Sequence, residues 1–288
     1  MKRKMSPYIY LIPSFLLLVV FYYYSVVYAF ELSLTDTVLG LKGQFIGLGN
    51  YKKLFTDPVF AQSIKNLAKF ACADFVKALT FPLIAAELLF FVRREKYSNV
   101  LKRLLIFPML VPGMVTMMIW YNMLDPNIGV VNQILEKIGL TSWQHNWFFD
   151  PKTAIWSIIA IGFPFIAGLN FLIYHTALNT IPKEQIEAAE LDGCTKLKTI
   201  RYIHVPTLIP YAGTVSTLAL IGSLSNYANV LVTTKGGPGY STYVPALIMY
   251  NNMNTDVGYA AAAGVFCFLL IMVVSTIIRA TVNKLTRE

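Results

Sequence analysis

The chain has 288 residues, of which 56% are hydrophobic and only 14% charged, and its formal net charge is +9. Soluble domains carry about 25% charged residues, so this composition excludes an ordinary water-soluble domain and points to a chain whose solvent is lipid and other helices. The three cysteines, Cys72, Cys194 and Cys267, offer no disulfide framework.

The first apolar run, 8–30, follows Lys2, Arg3 and Lys4. At about 23 residues it exceeds the 7–15-residue core of a signal peptide and lacks a small-x-small cleavage site, so it is expected to stay as an anchoring helix. Tyr22, Tyr23, Tyr24 and Tyr28 enrich its outer half as interfacial aromatics do. The segment 31–62, with Gly40, Gly43, Gly47, Gly49 and Asp57-Pro58, reads as an external loop rich in turn signals. Five further runs, 63–92, 104–124, 153–175, 207–232 and 258–278, are long and apolar enough to cross a hydrocarbon core of about 30 Å as helices. The fold class is therefore all-α, a polytopic membrane protein with six transmembrane helices. It divides into 1–62, the first helix and its external loop, and 63–288, a five-helix core with a loop at 178–206.

Lysine and arginine alternate in density along the chain. They are dense at the amino terminus, at Arg93, Arg94, Lys96, Lys102 and Arg103, at Lys183, Lys196, Lys198 and Arg201, and at Arg279, Lys284 and Arg287. The other connections hold only Lys42, Lys52, Lys53, Lys137, Lys152 and Lys235. The positive-inside rule then puts both termini and the 178–206 loop in the cytoplasm. The excess charge is a topology signal and implies no nucleic-acid partner.

Inside the second run, Lys65, Lys69, Asp74, Lys77 and Glu87 share one segment. A charge at mid-bilayer costs about 2.5–3.5 kcal/mol, so these side chains should avoid lipid. Asp74 and Lys77, three apart on a helix, can neutralise each other, and Lys65 and Lys69 can snorkel. Asp74 and Lys77 are candidates for a substrate path, with an ion pair inside the bundle as the equal alternative. Pro13, Pro108, Pro112, Pro164 and Pro210 lie in or at the starts of runs, where each permits a bend. In the fifth run Ser223, Ser225, Asn226, Tyr227 and Asn229 form an uncharged polar cluster at membrane depth, suited to a neutral polyol or to interhelical hydrogen bonding. Of these, Ser225, Asn226, Tyr227 and Asn229 join Asp74 and Lys77 as substrate-path candidates.

The most telling stretch is polar. Pro182 suits a first helical turn, 183–192 is free of breakers, and Gly193 supplies a left-handed stop, which predicts a short helix. A helix so short is marginal alone and is expected to be held by a partner. Glu184, Glu187, Glu190 and Asp192 offer acceptors to that partner's basic groups.

The sequence Ile186-Glu187-Ala188-Ala189-Glu190-Leu191-Asp192-Gly193, closed by Ile203-His204-Val205-Pro206, resembles the cytoplasmic coupling loop of binding-protein-dependent ABC importer permeases. It departs from the usual pattern only at Val205, where leucine is usual. Phe45-Ile46-Gly47-Leu48-Gly49-Asn50-Tyr51, Phe107-Pro108 with Pro112, Asp125-Pro126-Asn127-x-Gly129-x-x-Asn132 and Gly236-Gly237-Pro238 are similar to phrases of the carbohydrate, maltose-type branch.

The resemblance implies a permease subunit that forms half of a sugar path in the bacterial inner membrane and binds no cofactor itself. It further implies a second permease, two separate ATPase subunits that bind ATP, and an extracellular sugar-binding protein. Glu187, Ala188, Ala189, Asp192, Gly193, Ile203 and Pro206 are then the ATPase-coupling residues. A glycerol-phosphate permease of the same branch is the near alternative, with Lys69 or Lys77 as cationic groups.

No enzyme signature competes. The glycine loop 235–242 has its lysine ahead of the glycines, which does not fit a Walker loop. His145, His175 and His204 are too scattered for a metal site, and no nucleophile elbow occurs. An intramembrane hydrolase using Asp74 or Glu87, or an ATP-independent channel, are the readings from other classes.

Overall fold

Hydrocarbon offers no hydrogen bonds to a bare backbone, so apolar runs of this length fold as helices that satisfy their own N–H and C=O groups. The computed structural model describes residues 10–41, 43–225 and 227–286. Their regular structure is helical, joined by turns and loops with isolated bridges such as Thr35–Phe45, and no strand occurs among the described residues. Lys2, Arg3, Lys4, Lys42, Arg287, Asn226 and the side chain of Ser225 lie outside the description.

In chain order the helices are α1 (Ile12–Ser33), α2 (Gly49–Thr56), α3 (Pro58–Phe90), α4 (Glu95–Ile106), α5 (Gly113–Met123) and α6 (Val130–Lys137). Then come α7 (Ala154–Ala160), α8 (Gly168–Leu178), α9 (Lys183–Leu191), α10 (Val205–Ser225), α11 (Tyr227–Thr233), α12 (Pro245–Asn252) and α13 (Val257–Leu285).

Among the described residues three helices are long and apolar enough to span a membrane: α1, Lys196–Leu224 and α13. A fourth candidate is the broken pair Glu95–Leu110 with Gly113–Met123, bent by 89°. Among the described residues, two of the six expected runs are not single uninterrupted helices. Run 104–124 breaks where Pro112, which lacks an amide, caps α5. Run 153–175 breaks between α7 and α8, where Gly162 takes φ +86° and Phe165 takes φ +61° on either side of Pro164. The helix of the second run is continuous but too charged to register by hydropathy; it starts earlier than expected, at Pro58.

The contacts divide the chain into two units, 1–61 with 245–269 and 62–244 with 270–288. In the first, α1 presents an apolar surface that nothing in its window buries. Such a face is stable only against lipid or another membrane protein. The Asn50-Tyr51 phrase has a structural role. Asn50 Nδ2 donates to the carbonyls of Ser33 (3.0 Å) and Thr35 (2.7 Å), and Tyr51 Oη donates to Ser33 Oγ (2.8 Å). Tyr259 Oη donates to Asp57 Oδ2 at 2.9 Å, and Lys53 pairs with Asp256 at 2.7 Å. A Cβ at Gly258 would collide with the Thr35 carbonyl, so only glycine lets these segments approach.

The second unit has its core where α3, α8 and α10 meet. Ala78, Ala85, Ala86 and Leu89 face Phe171, Tyr174, Ala177 and Leu178, with Leu208 and Val215 closing the contact. The alanines on α3 allow close helix approach, as small residues do in membranes. Other family-like phrases are hydrogen-bond hubs here. Asp125 Oδ1 accepts the N–H groups of Asn127 (2.8 Å) and Ile128 (3.0 Å), and these bonds, that from Ile128 foremost, hold its carboxyl below the usual carboxylate range. Buried Asn132 donates to the Pro126 and His145 carbonyls and accepts from Trp147 Nε1 at 2.8 Å. Buried Asn66 donates to the carbonyls of Tyr240 (2.9 Å) and Tyr243 (3.0 Å), pinning the glycine loop.

Candidate functional site

Two constructions in the second unit are the candidates for function. The first is α9. Its helix ends one residue earlier than the sequence predicts, at Leu191, and Gly193 takes φ +74°. Cys194 N–H donates to the Ala189 carbonyl (2.9 Å) and Gly193 N–H to the Glu190 carbonyl (3.0 Å). That bond pair is the Schellman stop, which demands a left-handed residue at the glycine. Ala189 turns inward while Glu187, Ala188, Asp192 and Gly193 stay exposed. Ile186 and Ile203 pack against the α3/α8/α10 core, and Pro206 opens α10 at the surface. Leu191 is 90% exposed and Leu197 77%. Two bare leucines beside a row of carboxylates make an exposed face of mixed apolar and acidic character.

The second construction is a cavity of about 430 Å³ bounded by α3, the α7–α8 break, α8 and α10. That volume is within the usual range of small-ligand pockets, about 300–1,000 Å³. Asp74 and Lys77 line it from α3, and Asn170 from α8. Gly222 and Ser223 complete it from α10. The α7–α8 break supplies Gly162, Phe165 and Ala167.

The α3 charges form the expected ion pair, and it lies beside the cavity. Lys77 Nζ lies 2.7 Å from Asp74 Oδ1, and the pair also faces the cavity. Lys77 donates in addition to the Ile159 carbonyl at 3.2 Å, one of the carbonyls that the end of α7 leaves unpaired, and sits 5.1 Å from the Phe165 ring centre. Phe165 in turn meets Phe81 edge-on at 5.2 Å. Lys65 and Lys69 are exposed, as snorkelling side chains should be.

Of the α10–α11 cluster, buried Ser223 reaches the cavity, and its Oγ has no hydrogen-bond partner among the described residues. Tyr227 and Asn229 lie on α11, which packs against α5 and α7, and neither belongs to the described cavity wall. The Asn229 side-chain carbonyl is buried and has no hydrogen-bond partner among the described residues. Asn170, Phe165 and Gly162 escaped the sequence reading. The Gly162-Phe163-Pro164 punctuation located the bend, but nothing local said that it would become a wall. Among the described residues no three His, Cys, Asp or Glu side chains converge as a metal site would require.

Residues 78–288, which include α9 and most of the cavity, match the family described as binding-protein-dependent transport system inner membrane component. The chain belongs to that family. This permease is 32% identical over 270 residues to a probable ABC transporter permease of Pyrococcus horikoshii, covering 92% of this chain and 91% of the relative. It is 30% identical to the lactose transport system permease protein of Rhizobium radiobacter (91% and 89% covered). It is 28% identical to the arabinooligosaccharides transport system permease protein of Bacillus subtilis (96% and 88%). Its fold is that of a chain in a bacterial alginate ABC transporter crystallised with a pentasaccharide-bound periplasmic protein, at TM-score 0.87 and 21% identity, covering 99% of this chain and 96% of the other. The permease is thus a multi-pass inner-membrane transport component and not an enzyme.

Proposed function

We propose that this permease forms half of the translocation path of an ATP-driven importer of neutral di- or oligosaccharides. It pairs with a second permease, receives sugar from an extracellular binding protein, and is driven by two cytoplasmic ATPase subunits that bind the ATP. Both termini and α9 face the cytoplasm in this reading, as the lysine and arginine distribution supports.

The carrying observation is the cavity at Asp74, Lys77, Asn170, Phe165 and Ser223. Its walls offer a carboxylate acceptor, an amide, a hydroxyl and an aromatic face, which is the equipment a polyol needs. The names of its relatives, among them lactose and arabinooligosaccharide permeases, favour the same substrate class. An sn-glycerol-3-phosphate permease is also among them. A phosphate would need an uncommitted cation, and the Lys77 ammonium is already neutralised by Asp74.

In the transport cycle, ATP draws the ATPase pair together, and α9, gripped through Glu187, Asp192, Leu191 and Leu197, moves with it. The α3/α8/α10 core follows through Ile186 and Ile203, and the cavity changes from outward to inward access. No covalent step occurs in the permease. The test is uptake by proteoliposomes holding the permease, its ATPase subunits and its binding protein. Neutral disaccharides are expected to stimulate ATP hydrolysis and accumulate; accumulation of glycerol phosphate with no response to any neutral sugar would overturn the substrate class.

A further inference from the structure

A buried polar tie joins the coupling segment to the helix that carries the cavity's charges. His204 is fully buried, and its Nδ1–H donates to Glu87 Oε2 at 2.8 Å across 117 residues of sequence. His204 ends the π-helical turn Ile200–His204, which follows α9 and runs directly into α10. Glu87 stands on α3, the helix of Asp74 and Lys77. Between Lys77 and Glu87 lies Pro82, which is buried and removes one hydrogen bond from the helix ladder, leaving a point where α3 can bend.

We propose that Glu87 and His204 are the positioning pair through which movement of α9 is passed to both α3 and α10, and so to two walls of the cavity. This rests on the coupling reading of α9 given above. The surroundings make the bond directional. The Phe90 ring meets the imidazole edge-on at 4.6 Å, and the Phe91 ring stacks on it at 5.9 Å. Lys196, from the segment just after α9, lies 5.1 Å from the Phe91 ring centre.

Glu87 Oε1 and His204 Nε2 find no hydrogen-bond partner among the described residues. The two side chains are therefore polar only toward each other, in an aromatic setting where an unpaired charge is costly. Apolar contacts let helices slide with little change in energy. A single buried, charge-assisted bond fixes one register and forces the two helices to move together.

The test uses the full importer with its ATPase subunits and needs no substrate. A thiol reporter, Ala167→Cys, is placed on the cavity rim in a chain whose Cys72, Cys194 and Cys267 are changed to serine. Its labelling rate is compared with and without a nonhydrolysable ATP analogue. In the wild-type background the analogue is expected to change the rate. Glu87→Gln and His204→Gln should each shrink that change about tenfold, in the range of ordinary coupling energies, with the ATPase subunits still bound. The exchanged pair, Glu87→His with His204→Glu, should recover most of it.

A full response in both single variants overturns the proposal. So does a loss that tracks only dissociation of the complex and is not recovered by the exchange. A wrongly assigned sugar leaves this readout untouched. Absence of any ATP response in the wild-type background would remove the pair's role together with the coupling reading.

Discussion

Lys77 and Asp74, three residues apart on α3, meet at 2.7 Å with their side chains only 19% and 23% accessible, and the bond lies on the wall of the cavity. The ammonium is held a second time by the Ile159 carbonyl. A charge that would be expensive in lipid thus becomes a fixed dipole at the edge of the cavity. Lys77 cancels the charge that Asp74 brings to the cavity wall.

Lys77→Met removes that cancellation and leaves a carboxylate with no counter-ion, at a cost bounded by the roughly 2.5–3.5 kcal/mol of a mid-bilayer charge. The assembled complex should melt lower and uptake should fall. Adding Asp74→Asn should restore the Tm but not the original KM, because the acceptor has changed. Wild-type Tm and KM in Lys77→Met alone would show that the pair is dispensable.

Gly193→Val places a β-branched residue at φ +74°, where left-handed backbone costs about 1–2 kcal/mol. It should disturb the stop of α9 without affecting insertion. Glu187→Lys reverses the charge of the exposed face. Both variants are expected in the membrane at normal level, with substrate-stimulated ATP hydrolysis reduced roughly tenfold. Normal coupling in either would mean that α9 is an ordinary solvated loop.

Ser223 and Asn229 separate path from packing. Ser223→Ala deletes an unpartnered hydroxyl on the cavity wall and should raise the KM for sugar by up to about tenfold, the worth of one hydrogen bond. Asn229→Ala lies off that wall and should leave KM unchanged. A raised KM for Asn229→Ala with unaltered Ser223→Ala kinetics would move the substrate contacts to α11.

Asn66→Leu strips the donor from two loop carbonyls. With the loop backbone unpaired, about 1–3 kcal/mol of local stability should be lost. Proteolysis at 235–243 in intact vesicles opened to the outer face should accelerate, while ATP hydrolysis by the complex stays normal. Unchanged cleavage would show that Thr234 and Thr242, whose hydroxyls meet at 2.7 Å, hold the loop without help.

The orientation is checked by impermeant thiol labelling of whole cells carrying Lys137→Cys or Lys198→Cys. Both positions are exposed. Labelling from outside should reach position 137 and spare position 198; the reverse would invert the topology and place α9 outside the cell.

By itself the sequence determined what depends on neighbours along the chain. Apolar runs dictated helices because hydrocarbon leaves the backbone no other partner. Pro182 and Gly193 bounded α9 because caps act within one turn, and the i,i+3 spacing of Asp74 and Lys77 made their pairing readable. Tertiary structure alone decided what depends on distant partners. The 161–167 break becomes a cavity wall only because α3 and α10 stand beside it. Asn66 finds its acceptors 174 and 177 residues away, and the Glu87–His204 tie spans 117. Such bonds are set by how helices pack, which involves many small van der Waals and polar contacts at once, and no local pattern in the residues encodes them.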